Sequence, residues 1–148
     1  MLKREYENQV CSIARALELV GERWTLLIVR DAFLGLSRFD QFQQSLGIGR
    51  NVLADRLNGL VEQGIFDRVP YSERPLRHDY RLTEKGRELA IVLAALRQWG
   101  DRHVSDKPPR LLRRKTDRKD VVAAFVPRGA PALEVDELEL VPGPGALT

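Results

Sequence analysis

With one cysteine, one methionine and two histidines in 148 residues, the chain lacks most of the side chains that build catalytic or metal sites. The single cysteine, Cys11, can form no disulfide within the chain and no multi-cysteine zinc site. The two histidines, His78 and His103, lie far apart, in a loop-like stretch and at a helix end, which makes a poor metal pair. Neither is near Cys11, so a cysteine enzyme has no evident base. No metal, no cofactor and no catalytic residue is expected. No apolar run approaches the roughly 18 residues of a membrane span. The charged start Met1-Leu2-Lys3-Arg4-Glu5-Tyr6-Glu7 lacks the apolar core of a signal peptide. The expected compartment is therefore the cytoplasm, with no membrane partner. Charge of either sign is also nearly absent in net terms, at +3.

What is present is a globular composition, 43% hydrophobic and 30% charged, sized for one domain with an appendage. The positive charge is mostly arginine, whose rigid fork of donors suits phosphate oxygens and guanine edges. Ile13, Ala16, Leu17 and Val20 recur at helical spacing before Gly21. Glu22 opens a second run, in which Trp24, Leu27, Ile28 and Leu34 lead to Gly35. A glycine at each junction fits a helix closed by a left-handed residue. Ser37-Arg38-Phe39-Asp40 has capping-box spacing and starts a short helix with Phe39, Phe42 and Leu46 on one face. Gly47-Ile48-Gly49 makes a turn, and Leu53, Leu57, Leu60 and Val61 mark another helix over residues 50–63, ended by Gly64. Residues 65–69 and 80–82 read as strands. Residues 70–79, with two prolines and several charges, read as mostly loop. Thr83 can cap one long helix through Val104, with a stripe of Leu89, Val92, Leu93, Leu96 and Trp99.

This order predicts a mainly α protein with a small β part: a winged helix-turn-helix with a three-helix core, a β-hairpin wing and a long C-terminal helix. Residues 1–105 form that domain. Beyond it, residues 107–119 hold seven basic residues and one acid, Asp117. Residues 121–126 read as a strand, Arg128-Gly129 as a turn, and residues 133–141 alternate apolar and acidic positions like a half-buried strand. About 40 residues cannot bury a core alone. Residues 106–148 are therefore expected to be a basic linker and a small hairpin-like β extension that packs on the main body or a second subunit.

A helix-turn-helix lays its second helix in the major groove of duplex DNA, with its N-terminal residues reaching base edges. Here that helix starts at Arg50. At about 100° per residue, with Leu53 inward, Asn51, Asp55, Asn58 and Glu62 face outward. Arg50 and Ala54 lie on one flank and Arg56 on the other. Arginine pairs with guanine and asparagine with adenine, so Arg50 and Asn51 are the leading base readers. Asp55 can accept from a cytosine amino group or orient Arg56. Ser37 and Arg38, opening the preceding helix, suit the phosphate backbone. Arg74 and Arg77, either side of Pro75 in the wing, suit the minor groove or its phosphates.

Exposed arginines are ordinarily only solvated, and residues 37–87 hold nine basic residues against seven acids. The order of positions carries the reading, since Arg50, Arg74 and Arg77 fall where a winged helix touches DNA. The alternative is a winged-helix protein–protein interaction module without specific DNA binding. Steeply salt-dependent binding to duplex DNA separates the two.

Several blocks together resemble the HxlR family of winged helix-turn-helix transcriptional regulators. They are Cys11-Ser12-Ile13-Ala14-Arg15-Ala16-Leu17, Gly21-Glu22-Arg23-Trp24-Thr25-Leu26-Leu27-Ile28, Arg38-Phe39 and Leu53-Ala54-Asp55-Arg56-Leu57. Gly64-Ile65, Tyr80-Arg81-Leu82-Thr83-Glu84-Lys85-Gly86 and Trp99-Gly100 continue the match to about residue 103. The resemblance implies a bacterial homodimeric repressor or activator akin to the MarR group. Its subunits would meet through the N-terminal segment and the last long helix, here Ile13, Leu17, Leu89, Val92, Leu96 and Trp99. Two recognition helices would then enter successive major grooves of a pseudo-palindromic operator.

The resemblance also implies a sensor role for Cys11, because the matching cysteine senses oxidants or electrophiles in several members. A helix N-terminus favours a thiolate, and Arg15 lies one turn on. The other reading of Cys11 is a small apolar residue packed at a dimer interface. Without a second cysteine, reversible oxidation needs a partner subunit, a small thiol or an adduct. The chain departs from the family at Ser12, where proline is usual, and at Gly49, where a serine cap is common. The tail is similar to an arm that some members carry. Trp24 and Trp99 sit on apolar stripes and read as core or interface residues.

Overall fold

The computed structural model describes residues 8–146, and the chain divides into two compact units between Arg87 and Glu88. In the first, helices α1 (Ser12–Val20), α2 (Thr25–Phe33), α3 (Phe39–Leu46) and α4 (Arg50–Glu62) precede an antiparallel hairpin of β1 (Phe66–Glu73) and β2 (Leu76–Leu82). One helical turn, α5 (Glu84–Arg87), closes it. The inward positions of α2, α3 and α4 meet in one core, where Ile28, Val29, Phe42, Leu53 and Leu57 are 0% exposed. Phe66 carries that core into the wing. Its ring centroid lies 6.2 Å from Phe42 and 6.5 Å from Tyr80, in the tilted and edge-on contacts that aromatic quadrupoles favour. The protein is thus mainly α with small sheets, and its first unit is a winged helix-turn-helix.

Up to Ala90, local chemistry departs from the sequence reading in five places. Gly21 is not left-handed (φ −83°); it is glycine because a Cβ there would sit 2.4 Å from the Leu17 carbonyl oxygen. The left-handed residue of that connector is Trp24 (φ 82°), so α2 starts at Thr25 rather than Glu22. The expected Ser37/Asp40 capping box is replaced by Gln41, whose Oε1 accepts from the backbone N–H of Ser37 (3.0 Å) and Arg38 (3.1 Å). The helix begins one residue later than the spacing suggested, which releases the Ser37 hydroxyl for another partner.

The stretch 70–79 is strand on both sides of a tight turn, not loop. Pro70 is tolerated because the register slips between Pro70 and Ser72, a bulge that removes the need for a ladder N–H there. Pro75 occupies the turn. Finally, the long helix is broken after Arg87. Thr83 does cap it, its Oγ1 accepting from Gly86 N–H at 3.0 Å. Gly86, however, closes on the Ile65 carbonyl so tightly that a Cβ would lie 2.3 Å from the oxygen. Residues 84–87 therefore follow the hairpin base as α5, and the apolar stripe resumes separately.

The second unit holds α6 (Ala90–His103), β3 (Arg110–Arg114), a 3-10 turn (Val135–Glu137) and β4 (Leu138–Pro142). β3 and β4 pair antiparallel, with Leu111 opposite Val141 and Arg113 opposite Glu139. The basic run is thus partly a strand rather than a linker, with one of its arginines, Arg113, facing an acid across the ladder. Residues 121–126 form no strand. Val121 N–H reaches Leu112 O at 2.8 Å, and then the Gln98 side chain takes over. Its Nε2 donates to Ala123 O (3.0 Å) and its Oε1 accepts from Ala123 N–H (2.9 Å), satisfying the backbone as a neighbouring strand would. After β3, the Arg114 guanidinium and then Lys119 N–H bind the Asp117 carboxylate, pulling its pKa down to about 2. Among the described residues, no helix is long and apolar enough to cross a membrane.

The core assignment has a direct test. Phe42→Ala is expected to lower unfolding free energy by about 3–5 kcal/mol and Leu57→Ala by about 2–5 kcal/mol, measured by urea titration.

Candidate nucleic-acid interface

Helix α4 presents the face that its periodicity dictates. Leu53, Leu57 and Leu60 are buried, whereas Asn51, Asp55, Asn58 and Glu62 are exposed. Arg50 is exposed on one flank, with Ala54 half-buried beside it. Gly49 caps the helix without a side-chain acceptor, and the first turn holds no acid to offset the positive end of the helix dipole.

The starts of α3 and α4 and the hairpin surround an open cleft of about 520 Å³, lined by Arg38, Phe39, Arg50, Tyr71, Arg77 and His78 with their neighbours. Two of its cations are seated on rings. The Arg38 guanidinium lies 4.0 Å from the Tyr71 centroid and that of Arg50 lies 4.9 Å from Phe39. Arg50 also donates to Gln43 Oε1 at 3.4 Å and stands 3.9 Å from Asp40, so it is exposed but oriented. Arg74 and Arg77, at the end of the hairpin, are exposed and have no side-chain partner among the described residues.

Asp79, on β2, is the joint between wing and helices. It accepts from the Ser37 hydroxyl at 3.2 Å, from Arg38 Nε at 3.4 Å and from Arg81 Nη2 at 3.4 Å. Alongside, the backbone N–H of Tyr80 donates to Ser37 O at 2.7 Å, and Arg38 bridges Asp79 as a short third strand. Burial works to raise the Asp79 carboxyl, but the bonds from Ser37, Arg81 and Arg38 outweigh it and hold its pKa below the ordinary 3.8. Ser37 and Arg38 therefore build the interface from within.

The remaining residues picked from sequence are less uniform. Asn58 accepts a short hydrogen bond from Arg68 of β1. Arg56, only 19% exposed at its side chain, is bound to Asp55, to Glu22 and to the Arg23 carbonyl. Cys11 is exposed at the N-cap of α1, and its carbonyl accepts from Arg15 N–H at 3.0 Å. Ile13 and Leu17 on α1 are 72% and 41% exposed. In the second unit Val92, Leu96 and Trp99 are also exposed, and Leu89 is half-buried. Sequence reasoning missed Tyr71, His78 and Asp79, because they lie in the stretch taken for loop. Two strand-compatible aromatics, Tyr71 and Tyr80, flanking the acid were the available signal.

Residues 19–108 match the model of the HxlR-like helix-turn-helix family. The chain belongs to that family. A helix-turn-helix-type transcriptional regulator of Mycobacterium tuberculosis is 54% identical over 117 residues, covering 78% of this chain and 73% of that protein. The crystal structure of PA1607, a candidate transcription factor, is 40% identical with a TM-score of 0.73 over 89% of this chain and 94% of its own. That likeness reaches beyond residues 19–108 into the extension. The redox regulator HypR in its reduced form is 28% identical with a TM-score of 0.59, over 64% of this chain and 96% of that one. The chain is a helix-turn-helix transcriptional regulator of MarR-like kind.

The wing joint makes stability depend on pH with a definite sign. Folding favours ionised Asp79, so its contribution is complete above the ordinary carboxylate range and is lost as pH falls below that range through the lowered folded-state value. Asp79→Asn is expected to be less stable than the wild type near neutrality. The gap should close as urea titrations move from about pH 6 to about pH 3.

Proposed function

We propose that this regulator binds duplex DNA sequence-specifically as a homodimer on a pseudo-palindromic operator, inserting α4 into the major groove and laying the hairpin along the backbone. The observation that carries the reading is the convergence of Arg38, Arg50 and Arg77 on one cleft beside the exposed polar face of α4. Arg50 and Asn51 read base edges, with Ala54, Asp55 and Asn58 completing the face. Arg74 and Arg77 contact phosphates or the minor groove. Ser37 and Arg38 set the backbone contact through their joint with Asp79. The uncountered dipole of α4 adds attraction for phosphate.

A second copy of the chain covers the apolar side chains Ile13 and Leu17 of α1 and Leu89, Val92, Leu96 and Trp99 at and along α6. Exposure of most of these supports it, since large apolar side chains in water favour a partner. Residues 1–105 carry reading and dimerisation, and residues 106–148 are their extension. The protein acts in the cytoplasm. Cys11 responds to oxidants or electrophiles, a role supported by its exposure and by the likeness to the redox regulator HypR.

Fluorescence anisotropy on duplexes from the chain's own promoter tests the reading. Binding should weaken steeply with salt. Arg50→Ala should relax preference at one base pair by about 1–3 kcal/mol, whereas Arg77→Ala should weaken all sequences alike and reduce the salt slope by about one. No affinity for promoter DNA at low salt sinks the proposal. For the thiol, operator affinity should shift on treatment with a thiol oxidant in the wild type and stay constant in Cys11→Ser; an equal response in both removes Cys11 from the mechanism.

A further inference from the structure

One arginine of the α4 face is engaged in a way that DNA contact does not explain. Arg56 Nη1 lies 2.7 Å from Asp55 Oδ2 and 2.8 Å from Glu22 Oε2, while its Nε donates to the Arg23 carbonyl at 3.2 Å. Glu22 and Arg23 belong to the connector between α1 and α2. That connector is itself held in one shape: Thr25 N–H donates to Glu22 O at 3.2 Å, Trp24 is left-handed, and the Arg23 guanidinium lies 5.1 Å from the Trp24 ring. Arg56 thus joins a defined anchor on one side to Asp55 on the other. Asp55 is on the outward face of α4, with its side chain 62% exposed.

The electrostatic consequence is specific. A bare carboxylate on a groove-facing helix repels phosphate, and a guanidinium beside it, here shared with Glu22, reduces that repulsion. Arg56 holds Oδ2, which restricts the side chain and leaves Oδ1 to accept a hydrogen bond. The base-edge donor suited to an aspartate in the major groove is the cytosine amino group. We propose that Arg56 reads no DNA itself but is a positioning residue, tying α4 to the α1–α2 connector and orienting Asp55, which selects a base pair by its cytosine amino group. The proposal rests on the DNA-binding reading above.

The test compares Asp55→Asn, Arg56→Ala, Glu22→Gln and the double variant Arg56→Ala/Asp55→Asn. Each is measured for base preference by selection from randomised duplexes and for salt slope by anisotropy. Asp55→Asn and Arg56→Ala should each lose roughly five- to tenfold preference for cytosine at the same position. The double variant should lose no more than either single one, and the slope of Arg56→Ala should match the wild type. Glu22→Gln, remote from the groove face, should lose part of the same preference. A drop of about one in the salt slope of Arg56→Ala, with all sequences weakened alike, would make it a phosphate contact and overturn the proposal. Additive losses at different base pairs overturn it too, as does Glu22→Gln with unchanged preference. Circular dichroism monitors folding; if Arg56→Ala does not fold, Asp55→Asn and Glu22→Gln decide the matter by whether they shift the same base pair. Failure of the wild type to bind any duplex is visible before a variant is made, and overturns the DNA-binding reading and this proposal with it.

Discussion

The wing of this regulator is attached to its helices by the joint between β2 and residues 37–38, and that joint turns on one buried carboxylate. Asp79 is 8% exposed and takes donors from Ser37, Arg38 and Arg81. An unpaired carboxylate at that depth would be costly, so the three donors are obligatory partners rather than surface decoration. Holding them fixes the start of α3 against the hairpin. The turn 47–49 then places the start of α4 beside the same cleft, so the geometry of the whole polar face follows from it. The Phe42–Phe66–Tyr80 contacts underneath provide the apolar floor.

Most arginines whose contacts are described here serve the fold before any ligand. Arg30 binds buried Asp31, Arg38 binds Asp79, Arg68 binds Asn58, and Arg113 and Arg114 bind Asp120 and Asp117. Much of the positive charge is thus engaged within the fold, so charge counting along the sequence is a weak guide to DNA contact. Among the described residues Arg74 and Arg77 have no such partner, and both lie at the end of the hairpin. Arg50 is intermediate, seated on Phe39 and steered by Gln43 while remaining exposed.

The second unit follows a similar economy of backbone hydrogen bonds. None of its described residues is buried, and a two-stranded sheet and the Gln98 clamp on Ala123 satisfy the polar backbone instead. The side chains of Val122 and Phe125 next to the clamp remain exposed, at 72% and 106%. In the sequence, residues 121–126 read as a strand. Beyond Val121, which bonds to Leu112 of β3, a side-chain amide rather than a strand is the partner of Ala123, and the local sequence cannot distinguish the two.

The winged-helix order and the core were legible in the amino-acid sequence because helical periodicity is a local signal. Leu53, Leu57 and Leu60 at α4 spacing determine which face is buried, and hence that Asn51, Asp55 and Asn58 lie opposite. Family membership was legible for the same reason, through contiguous blocks. Pairings between distant residues were not. Nothing near Asp79 announces a bond to Ser37, and nothing near Arg56 announces Glu22, since both meet only after the chain has closed over the core. The hairpin length and the pairing of β3 with β4 likewise depend on partners far along the chain. The sequence by itself determined the order of the first four helices, their buried faces and the polar face of α4. Only the tertiary structure decided which of its arginines are committed to carboxylates and which stay exposed without one, because an ion pair is set by distance in space and not by position in the chain.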